Sequence, residues 1–202
     1  MMTLKKEALA SFSSSEEAFT YAVDMHSTYF CAEKVPKAAL NMVSLDALRH
    51  WRTECVTMDA VFSAILLIEG VTLPTELIRH PLYVRYHYLL KRLAAITNDL
   101  FGSEKEICRG EISGVVLLRL EQGASLVDVI AEEEKLFEET RNEFSLLREL
   151  LIKEFSEEDE SDVVIKLLDI VDSIIYGQMI LFAHCERYGG VKERFTVEKA
   201  IH

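Results

Sequence analysis

The chain has 202 residues, half of them apolar, with 34 acidic against 22 basic side chains, a formal charge of −12 and a pI near 5.0. That balance repels phosphate-rich partners, so neither nucleic acid nor an anionic membrane surface is expected as the main partner. With only 8 Gly and 3 Pro, the composition disfavours a β-sandwich or a long disordered region and suits one domain with a full core.

Residues 1–10 carry Lys5 and Lys6 but no apolar run behind them, so no secretory leader is expected. Ser13-Ser14-Ser15-Glu16 has the character of an N-cap and opens a helix to about Val35, where Pro36 breaks it. Ser44-Leu45-Asp46 opens the next helix, which carries Trp51 and Arg52. Residues 57–69 are strongly apolar and read as a buried helix ended by Gly70. The longest apolar stretch, 60–68, is interrupted by Ser63 and is too short to cross a bilayer. Leu73-Pro74-Thr75 opens a short helix, and His80-Pro81 marks a break.

From 82 to about 109 one long helix is expected, with Leu89, Leu93, Ile96, Leu100 and Ile107 recurring at helical steps. A further helix covers 112–121. Gly123-Ala124-Ser125 is a turn with Ser125 as N-cap. Residues 126–155 form a long amphipathic helix whose outer face is assigned Glu132, Glu133, Glu134, Glu138 and Glu139. Residues 156–162 read as an acidic loop, and 163 to about 188 as the last helix. No strand signal stands out, so the fold class is all-α, one bundle. Cys31, Cys55, Cys108 and Cys185 are widely separated and lack zinc-site spacing, which suits reduced thiols and a cytoplasmic location.

The stretch that can carry chemistry is 97–111, TNDLFGSEKEICRGE. Asn98, Gly102 and Glu106 are spaced i, i+4, i+8 and fall within about 40° of one another on a helix. An amide oxygen and a carboxylate two turns apart suit a hard divalent cation such as Mg²⁺, which keeps waters and is usually completed by substrate phosphates. Lys105, next to Glu106, could reach an anion held by that cation. On spacing alone, a solvated face with Glu104, Lys105 and Glu106 as surface charges is the commoner arrangement.

The literal string says more. Residues 98–106, NDLFGSEKE, resemble the second metal-binding motif of class I terpene synthases in its microbial form, NDxxSxxKE. Arg109-Gly110-Glu111 resembles the RGD-like step that follows it. Gly123-Ala124-Ser125-Leu126 resembles the turn before the next helix. Gly177 lies ten residues before Arg187-Tyr188, which resembles the family's C-terminal RY pair, 89 residues beyond Asn98. Leu73-Pro74 and residues 44–69 are similar as well, so the resemblance runs from roughly 15 to 190.

The resemblance implies a terpenoid synthase-like helical bundle around a deep apolar cavity. In such enzymes three Mg²⁺ ions and basic residues grip the diphosphate of a linear isoprenyl diphosphate, such as farnesyl or geranyl diphosphate. Loss of diphosphate leaves an allylic carbocation whose cyclisation the cavity walls steer. By position, Asn98 and Glu106 are metal ligands, Lys105 and Arg187 contact diphosphate, Tyr188 supports that contact, and Asp99 has a structural role. The family's diphosphate-sensing arginine belongs on the helix around Trp51. An ungapped alignment back from Glu69 puts Cys55 there; Arg52, or Arg49, serves if the helix break shifts, and Arg52 is the candidate. Phe62, Tyr176 and Phe182 are candidate wall aromatics, although core packing explains each equally well.

The sequence also departs from the pattern. Gly102 stands where the family has a Ser or Thr ligand, and Ser103 points about 100° away. Gly114 stands where Asn often follows. No paired aspartates precede Asn98, and 97 residues do not reach back to the family's aspartate-rich first motif. Residues 1–202 therefore read as one partial domain, apparently truncated at the N-terminus, without the helices that hold two of the three metal ions. Apolar stripes are expected on its surface, with a homodimer as one outcome. Two functions follow: a terpene cyclase, or a catalytically inactive relative acting as a structural or interaction module. An unrelated helical protein is the third possibility.

Overall fold

A computed structural model describes residues 44–109, 114–156 and 161–185. The helix expected over 16–35, the Gly110-Glu111 step and the Arg187-Tyr188 pair lie outside the described residues. Helix α1, Leu45–Cys55, starts where the sequence indicates. The Ser44 hydroxyl accepts the Ala47 N–H at 3.2 Å, Asp46 lies in the first turn and Arg52 in the last, an order that suits the helix dipole. α2, Met58–Glu69, follows after a break at which Thr57 adopts φ +61°, a left-handed conformation unusual for a β-branched residue. Gly70, at φ +60°, ends α2.

Short α3, Thr75–Arg79, leads into α4, Pro81–Arg109. Pro81 opens α4, because its missing N–H is one of those a helix leaves unpaired at its start anyway. α5, Val115–Glu121, is followed by Gly123 at φ +87° and then by α6, Leu126–Glu154. Ser125 caps α6 by accepting the Asp128 N–H at 3.1 Å. α7 is Ser161–His184. The described residues contain helices and no strand.

α4 is the axis of the bundle and packs against α1, α2, α3, α5, α6 and α7. Its Tyr86, Leu89, Leu90 and Leu93 meet Phe137, Phe144, Leu147 and Leu151 of α6, and Leu168, Val171 and Ile175 of α7. Tyr86 stacks on Phe144 with ring centroids 4.3 Å apart. A smaller cluster of Leu48, Val115 and Leu118, with Leu45 and Trp51 against it, fastens α1 to α5.

Two expectations need correction. Glu133 is not on the outer face of α6; it is 1% exposed. It falls in the buried series Val129, Glu133, Phe137, Thr140, Phe144, Leu147, Leu151, whose steps of three and four keep one face inward. Arg49 of α1 reaches in to meet it. α2, in turn, is buried on one side only: Phe62 and Leu66 are in the core, while Val61 and Ile68 are exposed, Ile68 at 80%. The expected apolar stripe is present on α7, where Tyr176, Ile180 and Leu181 are exposed. Among the described residues no helix is long and apolar enough to cross a membrane.

Candidate metal and diphosphate site

The last three turns of α4 present Asn98, Gly102 and Glu106 on one face. A Cβ at Gly102 would lie 3.4 Å from Glu106 Oε1, so the Glu106 carboxylate folds back along the helix over Gly102, toward Asn98. The Ser103 hydroxyl donates to the Leu100 carbonyl at 2.8 Å and is spent on the backbone. The face therefore carries two oxygen-bearing side chains, with the Glu106 carboxylate lying over the glycine between them. Lys105, half-buried, projects from the same turn as Glu106.

Arg52 of α1 closes the Asn98 end. Its Nη2 donates to Asn98 Oδ1 at 3.1 Å, and its Nε donates to Asp99 Oδ1 at 2.9 Å, with Nη2 on the same Asp99 oxygen. Burial pulls the Arg52 pKa down, but the charge and hydrogen bonds of Asp99, and then the charge of Glu106, outweigh it and hold the guanidinium above its ordinary value. Arg52 is thus a permanent cation among the motif's own side chains. The other oxygen of Asp99, Oδ2, accepts the Val115 N–H at 3.0 Å at the start of α5. Asp99 is 2% exposed.

One turn before Arg52, Arg49 Nη2 donates to Glu133 Oε1 at 2.5 Å. Burial pushes the Glu133 carboxyl above the usual range, against the pull of Arg49. The crevice between Arg49, Arg52, Asp99 and Glu133 holds about 10 Å³, roughly one water. These arginines therefore fasten α1 to α4 and α6.

The same side of α4 stays polar toward its N-terminus. Lys91 Nζ donates to Glu54 Oε2 at 2.7 Å and to Asp59 Oδ2 at 3.4 Å, and Asp59 Oδ1 is hydrogen-bonded to His87 Nε2 at 2.8 Å. Burial raises the Asp59 carboxyl, but His87 and Lys91 outweigh it and hold Asp59 below the usual carboxylate range. Phe62 packs against His87 and Phe182 against Phe101, so these two of the three candidate wall aromatics are core residues, while the third, Tyr176, is exposed.

A cavity of about 310 Å³ lies elsewhere, between α4, α6 and α7. Leu93, Phe137, Met179, Arg148, Asp172 and Tyr176 are among its lining residues. Leu93 is about 140° round α4 from Asn98, so this cavity is not the space the motif faces.

Among the described residues no three His, Cys, Asp or Glu side chains gather to hold a metal ion on their own. The donor set fits a different use. Mg²⁺ takes one or two protein oxygens and fills the rest of its shell with water and phosphate. Asn98 and Glu106 could supply those two, with Arg52 a fixed positive charge beside them. The structure brings Arg52 onto Asn98 and within electrostatic reach of Glu106; Arg187 and Tyr188 lie outside the described residues. Sequence reasoning missed the Arg49–Glu133 pair, although Glu133 stands in register with the apolar series of α6.

The chain belongs to the terpene synthases: residues 7–143 match the family described as terpene synthase family 2, C-terminal metal binding. The fold is that of solved terpene synthases. An α-eudesmol synthase superposes with a TM-score of 0.74 at 21% identity, covering 87% of this chain and 59% of its own. A variant of cucumene synthase gives 0.73 at 19% identity with the same coverage. Wild-type cucumene synthase gives 0.69 at 18%, covering 84% of this chain and 56% of its own. This chain thus spans less than two thirds of the length of those structures. A comparison with curated proteins returned no match.

Proposed function

We propose that the chain is the C-terminal, diphosphate-gripping part of a class I terpene synthase, one partial domain over its 202 residues, working in the cytoplasm on farnesyl or geranyl diphosphate. The observation that supports this best is the meeting of Arg52 with Asn98 on the face that also carries Glu106. Asn98 and Glu106 hold Mg²⁺ by their side-chain oxygens, and Arg52 and Lys105 contact the diphosphate. Arg187 and Tyr188 complete the grip by resemblance. Bound Mg²⁺ supplies neutralisation of the charge that develops on the leaving diphosphate. The chain's own contribution is to orient that group: the guanidinium is held rigidly, and the carboxylate is folded over a glycine toward it.

The experiment is incubation with Mg²⁺ and each prenyl diphosphate, measuring diphosphate release and volatile products. Release that disappears in Glu106→Ala supports the reading. A second reading has its own support: position 102 carries no oxygen, and no three-carboxylate group exists among the described residues. On that reading the chain is an inactive relative serving as a structural or interaction module, with the α7 stripe as contact surface and a homodimer as one form. Absence of release with either substrate, together with wild-type folding, favours it.

A further inference from the structure

We propose that Asp99 aims Arg52 at the diphosphate; this rests on the reading of Arg52 given above. An arginine guanidinium is a planar fork of five donors on a long flexible stem. Fixing the Nε–Nη2 edge fixes the plane and hence the direction in which the remaining donors point. Asp99 Oδ1 takes both atoms of that edge, and Asp99 Oδ2 is itself pinned by the Val115 N–H at 3.0 Å. The carboxylate is buried, so solvent screens this contact poorly and the attraction is strong. Its neighbour in sequence is Asn98, which accepts from the same Nη2 at 3.1 Å. One turn of α4 therefore registers the cation ligand and the anion-binding arginine to each other.

Gly114 makes room for this. A Cβ there would stand 3.0 Å from both Cγ and Oδ1 of Asp99 and 3.3 Å from Oδ2. The backbone at Gly114 is extended, φ −132° and ψ 174°, a conformation open to any residue. A side chain here would press on the Asp99 carboxylate, so the constraint is one of space and not of backbone freedom. Asp99 does not touch the diphosphate; it is a positioning residue.

The test is calorimetric titration of inorganic diphosphate in saturating Mg²⁺ into the wild type, Arg52→Ala, Asp99→Asn and the double variant. The D99N amide keeps an oxygen for Val115 but turns its NH₂ against the arginine's donors. Each single change is expected to weaken binding about tenfold or more. The double variant is expected to bind no worse than Arg52→Ala alone, because Asp99 acts through Arg52. A purely structural Asp99 would add its own loss in both backgrounds, and that result overturns the proposal. Wild-type affinity in Asp99→Asn with loss in Arg52→Ala overturns the proposal alone; wild-type affinity in Arg52→Ala overturns the reading of Arg52 with it. Should Asp99→Asn fail to fold, Gly114→Ala displaces the carboxylate from the loop side. Weaker binding that again vanishes in the Arg52→Ala background supports the proposal, and unchanged binding defeats it.

Discussion

Gly102 is the residue at which the motif and this chain part, and its consequence can be measured. It sits inside α4, where glycine costs about 0.5 kcal/mol more than serine in helix propensity. A Cβ there would make ordinary contact with Glu106. Gly102→Ser should therefore raise the melting temperature by about 1–2 °C and, by adding an oxygen between Asn98 and Glu106, tighten Mg²⁺-dependent diphosphate binding. Thermal melts and titration check both halves. The motif residues on α4 were legible because they lie in one string on one helix. The partnership of Asp99 with Arg52 was not, since 47 residues separate them and only packing joins them.

Among the elements, α1 and α2 matter most, because they bring Arg52 and Asp59 onto α4. Ser44→Ala removes the cap of α1 and should cost about 1 kcal/mol, seen as a melting temperature lower by about 2–4 °C. The buried group of Glu54 from α1, Asp59 from α2, and His87 and Lys91 from α4 gives the element pairing an acid dependence. The Asp59 carboxyl is held below its ordinary value in the folded chain. Its stabilisation is therefore present above the ordinary carboxylate pKa and is lost as pH falls through the lowered one. Wild-type stability should fall more steeply than that of Asp59→Asn between about pH 5 and 3, followed by thermal melts.

Helix starts at Ser44, Pro81 and Ser125 were readable because caps and proline act locally. Burial was harder. The run of Glu132, Glu133 and Glu134 looks like a solvated charge block, yet Glu133 alone follows the inward period of α6. The apolar run of α2 looks buried throughout, yet Ile68 faces out. Charge and hydropathy describe a residue's preference; its position on the helix face decides the outcome.

For the molecule as a whole, fold class was the most legible feature, since helical periods run through the chain and α4 gathers the other helices around it. The coverage of 59% against the solved synthases sets the terms for activity. Those structures extend beyond the part that this chain matches, and α7 carries Tyr176, Ile180 and Leu181 on its surface. Core packing does not depend on that face. Phe137→Ala, at the centre of α4 and α6, should cost about 3–5 kcal/mol by denaturant unfolding, while Ile180→Ser should change stability little. The account stands most directly on whether diphosphate binding needs magnesium and Glu106 together. Titration of inorganic diphosphate should give binding with Mg²⁺ that drops sharply without the metal and in Glu106→Gln. Binding that is equally tight without Mg²⁺, or untouched by Glu106→Gln, would contradict it.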